Sequence, residues 1–108
     1  MTLLPQERIS VASIAVAAIE SALELSLDYA RTRTAFGKPI GRNQSMAFTL
    51  AEMATEAHIA RVFLNDAITQ LNAGTADTAL ASMAKWWTTE LQKKIIDQAS
   101  RSTAATAT

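Results

Sequence analysis

Cysteine is absent from this 108-residue chain and histidine occurs once, so neither a disulfide framework nor a thiolate or histidine-rich metal cluster can be built from it. The lack of cysteine suits a reducing compartment. Aromatic residues are scarce at 6%, whereas hydrophobic residues make up 49% and alanine is abundant, a mixture that favours closely packed helices. No charge of either sign dominates, with ten Lys and Arg against ten Asp and Glu. A chain without a net field has no general attraction for nucleic acid or an anionic membrane, and a role in binding either is not expected. Uninterrupted apolar runs are also missing, because Glu20, Glu24 and Asp28 break the most hydrophobic stretch. On that reading no segment inserts into a membrane and the chain is soluble. Met1 is followed by no basic region and apolar core of the kind that opens a secretory leader.

What is present is helical periodicity. At this length the chain forms at most one domain, near the size at which a single apolar core becomes secure. Leu4-Pro5-Gln6-Glu7 is a good helix start, since proline is tolerated in the first turn and a carboxylate there complements the helix dipole. Ile9, Ala12, Val16, Ile19, Leu23 and Leu27 then recur every three or four residues, predicting one helix to about Thr34. Gly37 and Pro39 are expected to stop it.

A second helix is predicted over about Gln44 to Asn72, with Phe48, Met53, Ile59, Val62, Phe63, Leu64, Ile68 and Leu71 as its apolar surface. Ala73-Gly74 ends it. Either Thr75 or Asp77 can cap a third helix that carries Leu80, Met83, Trp86, Trp87, Leu91, Ile95 and Ile96. Short connections between long helices imply antiparallel neighbours, and no useful stretch alternates with period two. The fold class is therefore all-α. Residues 1–99 form the helical unit, and residues 100–108, which have no large apolar side chain to bury, are expected to be a disordered tail.

Between the first two helices stands Arg31-Thr-Arg33-Thr-Ala-Phe36-Gly37-Lys38-Pro39-Ile40, with Gln44 four residues beyond. In order and spacing this segment resembles the signature of the C-terminal helical domain of acyl-CoA dehydrogenases. The resemblance implies three long helices of an up-and-down, four-helix-bundle-like domain whose final helices are missing from this chain. It also implies a flavoenzyme that uses FAD to introduce a double bond between the α and β carbons of a coenzyme A thioester, in fatty-acid or branched-chain catabolism. Arg33, Phe36 and Gln44 match the family's FAD-contacting positions. A guanidinium suits the pyrophosphate, the Gln amide offers both donor and acceptor to an adenine edge or backbone, and Phe36 supplies a flat apolar wall. Ala35 stands where relatives often carry Thr, so no side-chain hydrogen bond is available there.

Leu4-Pro5-Gln6-Glu7-Arg8-Ile9 resembles the helix start of the long-chain and isovaleryl-type branches, in which the Glu is the catalytic base. Glu7 is thus a candidate to take the α proton while hydride leaves the β carbon. The alternative is a first-turn carboxylate that serves only the helix dipole. Arg8 is a candidate contact for the CoA part of the substrate, or else for a neighbouring carboxylate. His58, Trp86-Trp87 and Lys93-Lys94 carry less: a surface histidine, one core and one interface tryptophan, and a solvated face near a helix end.

Glu7 and Arg33 fall on one predicted helix, twenty-six residues or roughly 39 Å apart at 1.5 Å per residue, too far for one flavin to serve both. The base then faces one active site and Arg33 reaches FAD of another subunit, as in a homodimer or homotetramer of the family. Acyl-CoA and an electron-transfer partner belong to the full-length enzyme, in the cytoplasm or, in a eukaryote, the mitochondrial matrix. The isolated fragment is expected to be inactive. A different reading is a non-catalytic helical module that self-associates through bare apolar faces. The tail has its own explanation within the resemblance, because the family continues here into a His-Gly-Gly-Tyr-Gly-Tyr type segment. If Ser102 to Thr108 are encoded TCC ACG GCG GCT ACG GCT AC after a C, starting on that C yields Leu-His-Gly-Gly-Tyr-Gly-Tyr. A frameshift is therefore expected at the tail.

Overall fold

The computed structural model describes the backbone of residues 4–35 and 44–107, and the side chains of residues 4–32 and 46–101. Three helices account for nearly all of it: α1 (Pro5–Ala35), α2 (Gln44–Asn72) and α3 (Thr78–Ala107). No strand occurs among the described residues. The all-α architecture follows the periodicity of the sequence, and the first two helices have the predicted extents to within a residue. Arg8 N–H donates to the Leu4 carbonyl at 3.1 Å, so Pro5 occupies the first helical position, where its missing amide hydrogen costs no intrahelical bond. The proposed stop at Gly37 and Pro39 lies outside the described residues.

The turn between α2 and α3 is built from local chemistry. Gly74 takes φ +77, and its N–H donates to the Leu71 carbonyl at 3.1 Å while Thr75 N–H donates to the Gln70 carbonyl at 2.8 Å. This pairing closes a helix C-terminus through a left-handed residue that glycine adopts without a Cβ penalty. Of the two capping candidates, Asp77 is the one used: its Oδ1 accepts from Leu80 N–H at 2.7 Å. The Thr75 hydroxyl instead donates back to Gln70 at 3.2 Å.

The chain runs up, down and up. Arg8 meets Ser82 near the starts of α1 and α3, whereas Ala18, Ala22 and Ser26 line a groove with Ile96, Ala99 and Ser100 further along both. These two helices are therefore parallel neighbours, and α2 runs antiparallel to both. The bundle measures 53 × 25 × 17 Å. Its core takes Ile9, Ala12, Val16 and Ile19 from α1, Met53 and Leu64 with three alanines from α2, and Ala81, Ala84, Leu91 and Ile95 from α3. Alanine at so many core positions lets helix axes approach closely, and α1 lies most extensively against α3. α2 and α3 touch least.

Four expectations are corrected. α3 continues through Ala107 instead of ending near Ala99. Its last residues contain neither glycine nor proline, alanine is the best helix former, and Arg101 pairs with Asp97 one turn earlier at 3.0 Å. Lys94 is no free surface cation, since its Nζ lies 3.0 Å from Glu52 and 2.9 Å from Glu56 and ties α3 to α2. Phe48, Ile59, Val62, Met83 and Ile96, counted in the packing apolar surface of their helices, are exposed. Three helices cannot cover apolar surface that wraps beyond one stripe of each.

The fourth concerns hydropathy. Over Pro5–Thr32, α1 is long and apolar enough to cross a membrane by length and composition, with a mean hydropathy of 1.6, despite Glu20, Glu24 and Asp28. One face of it is packed, with Ala12, Val16 and Ile19 fully buried against the other two helices and Glu20 paired with Arg61 of α2, while Ile14 and Leu25 on the same helix are exposed.

Candidate functional site

Residues singled out by sequence lie at two distant ends of α1. At the start, Glu7 sits in the first turn with its side chain exposed. Arg8 follows it, half-buried against α3, and its Nη1 donates to the Ser82 hydroxyl at 2.8 Å. Adjacent residues on a helix point in different directions, which explains why Glu7 and Arg8 do not pair with each other. Among the described residues Arg8 has no carboxylate partner, so the guanidinium is anchored by a neutral group and its charge is uncompensated.

At the other end, the backbone places Arg33 in the last turn of α1 and Gln44 at the first position of α2. Both flank one connection at the same end of the bundle. The side chains of Arg33 and Gln44, and Phe36 altogether, lie outside the described residues. The α1 helix is continuous from Pro5 to Ala35, so Glu7 and Arg33 are separated by about 39 Å at 1.5 Å per residue. No single small-molecule site formed by this chain contains both.

A third feature is an apolar groove of about 340 Å³ between α2 and α3, lined by Ile59, Phe63, Met83, Trp86 and Trp87. Trp87 is half-buried and meets Phe63 with ring centroids 6.1 Å apart and planes tilted by 58°, whereas Trp86 is 65% exposed. One tryptophan thus serves the core and the other the surface. His58 is exposed on α2.

Comparison with known proteins decides the ancestry. The family model described as acyl-CoA dehydrogenase, C-terminal domain, matches residues 1–103. The chain belongs to the acyl-CoA dehydrogenase family. It is 38% identical over 95 residues to the mitochondrial long-chain specific acyl-CoA dehydrogenase of Rattus norvegicus, covering 88% of this chain and 22% of that protein. It is 41% identical over 87 residues to an acyl-CoA dehydrogenase of Bacillus subtilis, covering 81% of this chain and 23% of the relative. A subunit of the caffeyl-CoA reductase-Etf complex of Acetobacterium woodii is 34% identical over 92 residues, with 85% and 24% covered. No solved structure gives a significant match. The chain therefore spans less than a quarter of the length of these relatives.

Within that family frame, the donor set flanking the α1–α2 connection suits FAD in chemical type. A permanently charged fork suits a pyrophosphate, and an amide both gives and accepts hydrogen bonds. Sequence reasoning missed Ser82. Nothing in the linear sequence points serine at that position to Arg8, and only the packing of α3 on α1 brings it to a residue 74 positions away.

Proposed function

We propose that this chain is the C-terminal helical part of an FAD-dependent acyl-CoA dehydrogenase acting on the CH–CH bond next to a coenzyme A thioester, and that it is inactive alone. The observation that carries the reading is the separation of Glu7 and Arg33 on one unbroken helix. It supports an assembly in which Glu7 faces one active site and Arg33, Phe36 and Gln44 hold FAD across an interface with a second copy. Glu7, at an exposed helix start, takes the α proton of the acyl-CoA. Bound FAD supplies the hydride acceptor for the β carbon. Arg8 orients the anionic CoA moiety, and bound apolar chain around Glu7 excludes water from the proton transfer. Reducing equivalents then leave through an electron-transfer partner, and the homo-oligomer works in the cytoplasm or the mitochondrial matrix.

The test joins the chain in frame to the remaining segments of a full-length family member, on both sides of the part it covers. The assembled protein is expected to retain FAD and oxidise acyl-CoA. Glu7→Gln should lower turnover by about 10²- to 10⁴-fold with FAD retained, and Arg33→Ala should release FAD. Normal turnover in Glu7→Gln removes Glu7 as the base.

A second reading rests on the groove between α2 and α3. Its exposed Ile59, Met83 and Trp86 suit a non-catalytic helical module that associates with another copy of itself. An assembled protein that never holds FAD, yet self-associates through this groove, favours that reading.

A further inference from the structure

Many hydroxyl groups on these helices share one habit. Ser10, Ser13, Ser26, Thr32, Thr55, Thr69, Thr88 and Thr89 each donate to the carbonyl four residues earlier, at 2.6–3.1 Å. This is the local bond that serine and threonine make in a helix interior. Ser82 instead accepts a long-range bond, 2.8 Å from Arg8 Nη1, across 74 residues.

Arg8 is an exception as well. The other arginines with described side chains each meet a carboxylate: Arg31 meets Asp28 at 2.9 Å, Arg61 meets Glu20 at 2.5 Å and Arg101 meets Asp97 at 3.0 Å. Arg8 alone among them is held by a neutral oxygen. Its position is unfavourable for stability, because α1 and α3 are parallel and a cation near their shared amino ends meets the positive ends of both helix dipoles. A carboxylate in place of Ser82 would relieve that cost but cancel the charge. Serine holds the guanidinium and leaves the charge for a ligand, with four of the five N–H donors still free among the described residues.

We propose that Ser82 is a positioning residue that anchors Arg8 without neutralising it, so that Arg8 meets the anionic phosphates of coenzyme A beside Glu7. The inference rests on the reading of Arg8 as a substrate contact and adds how its geometry and charge are both secured. Anchoring one N–H removes rotamer freedom that would otherwise be lost on binding, and this favours affinity without adding a contact to the ligand.

The experiment uses the full 108-residue chain, with coenzyme A as the probe and Arg8 Nε–Hε mobility measured by ¹⁵N relaxation. Ser82→Ala should make the Arg8 Nε–Hε group mobile and weaken coenzyme A binding by about five-fold, the effect of losing roughly one hydrogen bond's worth of order. Ser82→Thr should restore both. Ser82→Asp should keep Arg8 ordered yet weaken coenzyme A at least as much as Ser82→Ala does, because the charge is cancelled. Thermal unfolding of the three variants controls for structural damage, which would move mobility and affinity together with the melting temperature. An Arg8 group equally mobile in wild type and Ser82→Ala, or coenzyme A binding that depends on Arg8 but not on Ser82, overturns the proposal. If Arg8→Gln leaves coenzyme A binding unchanged, or the wild type binds none while Ser82 still orders Arg8, the substrate-contact reading fails and the anchoring stands.

Discussion

Arg61 of α2 grips Glu20 of α1 with two hydrogen bonds, Nε to Oε2 at 3.0 Å and Nη2 to Oε1 at 2.5 Å, so that a planar fork on one helix matches a carboxylate on its antiparallel neighbour. The Arg61 hydrogen bond holds the Glu20 carboxyl below the usual 4.5, opposed in part by desolvation. The side chains remain 39% and 41% exposed, so solvent screens the pair and its contribution is on the order of 0.5–1 kcal/mol. A carboxylate with a lowered folded-state value stabilises the protein above its unfolded value and loses that effect as pH falls through the folded one.

The stability of Glu20→Gln should therefore fall short of wild type at neutral pH, and the gap should close as pH drops from about 5 to about 3. Urea denaturation at several pH values measures it. A gap that stays constant through the acid range would show that the ionised pair contributes nothing. Glu52, lowered chiefly by its hydrogen bond from Lys94, adds to the same acid limb. Lys94 is raised by Glu56 and Glu52, so its contribution is complete below the ordinary 10.5 and disappears only as pH rises above that value.

At the α2–α3 turn, Gly74→Ala should destabilise by about 1 kcal/mol, because alanine must adopt φ +77 even though its Cβ would meet no atom within 4 Å. Asp77→Ala removes the acceptor of the Leu80 N–H and should cost about 1 kcal/mol by a separate route. Asn at position 74, which tolerates the left-handed conformation, is expected to recover part of the first loss. Denaturation midpoints of the three variants decide it, and an alanine variant as stable as wild type would contradict the strain argument.

Leu64 is 1% exposed at the centre of the core. Leu64→Ala should cost about 2–5 kcal/mol, depending on how far the alanine-rich neighbours close the cavity. A stability equal to that of an exposed-site control such as Leu25→Ala would mean the three helices do not enclose this position.

Trp86 and Met83 rim the groove on its α3 side. Replacing Trp86 by Lys should leave thermal stability within about 0.5 kcal/mol, as for other exposed positions, while lowering any concentration-dependent association seen by sedimentation. Unchanged association would move the self-contact to another face. For the tail, sequencing the encoding DNA tests the frameshift expected from Ser102 onward, and codons incompatible with a Leu-His-Gly-Gly-Tyr-Gly-Tyr reading in the alternative frame exclude it.

Local features were legible because neighbouring residues decide them. The start at Pro5, the Gly74 exit and the extents of α1 and α2 all follow from residues within a turn or two of the event. The choice between Thr75 and Asp77 needed the structure, since both side chains can accept from a helix amide and only the path of the chain selects one. The end of α3 was misread because lack of large apolar residues removes a reason for burial, but it does not break a helix.

Of the candidate site, Glu7, Arg8, Arg33, Phe36 and Gln44 were selected on sequence pattern, and family membership rests on that same linear text. Their separation into two ends also followed from sequence, given 1.5 Å of rise per residue along one continuous helix. What only the tertiary structure decided were the partners across helices: Ser82 for Arg8, Glu20 for Arg61, Glu52 and Glu56 for Lys94, and Trp87 rather than Trp86 for the core. Periodicity tells which face of a helix is apolar, but the axial register and rotation of one helix against another come from the packing of all three. A contact spanning 74 residues exists only once that register is set.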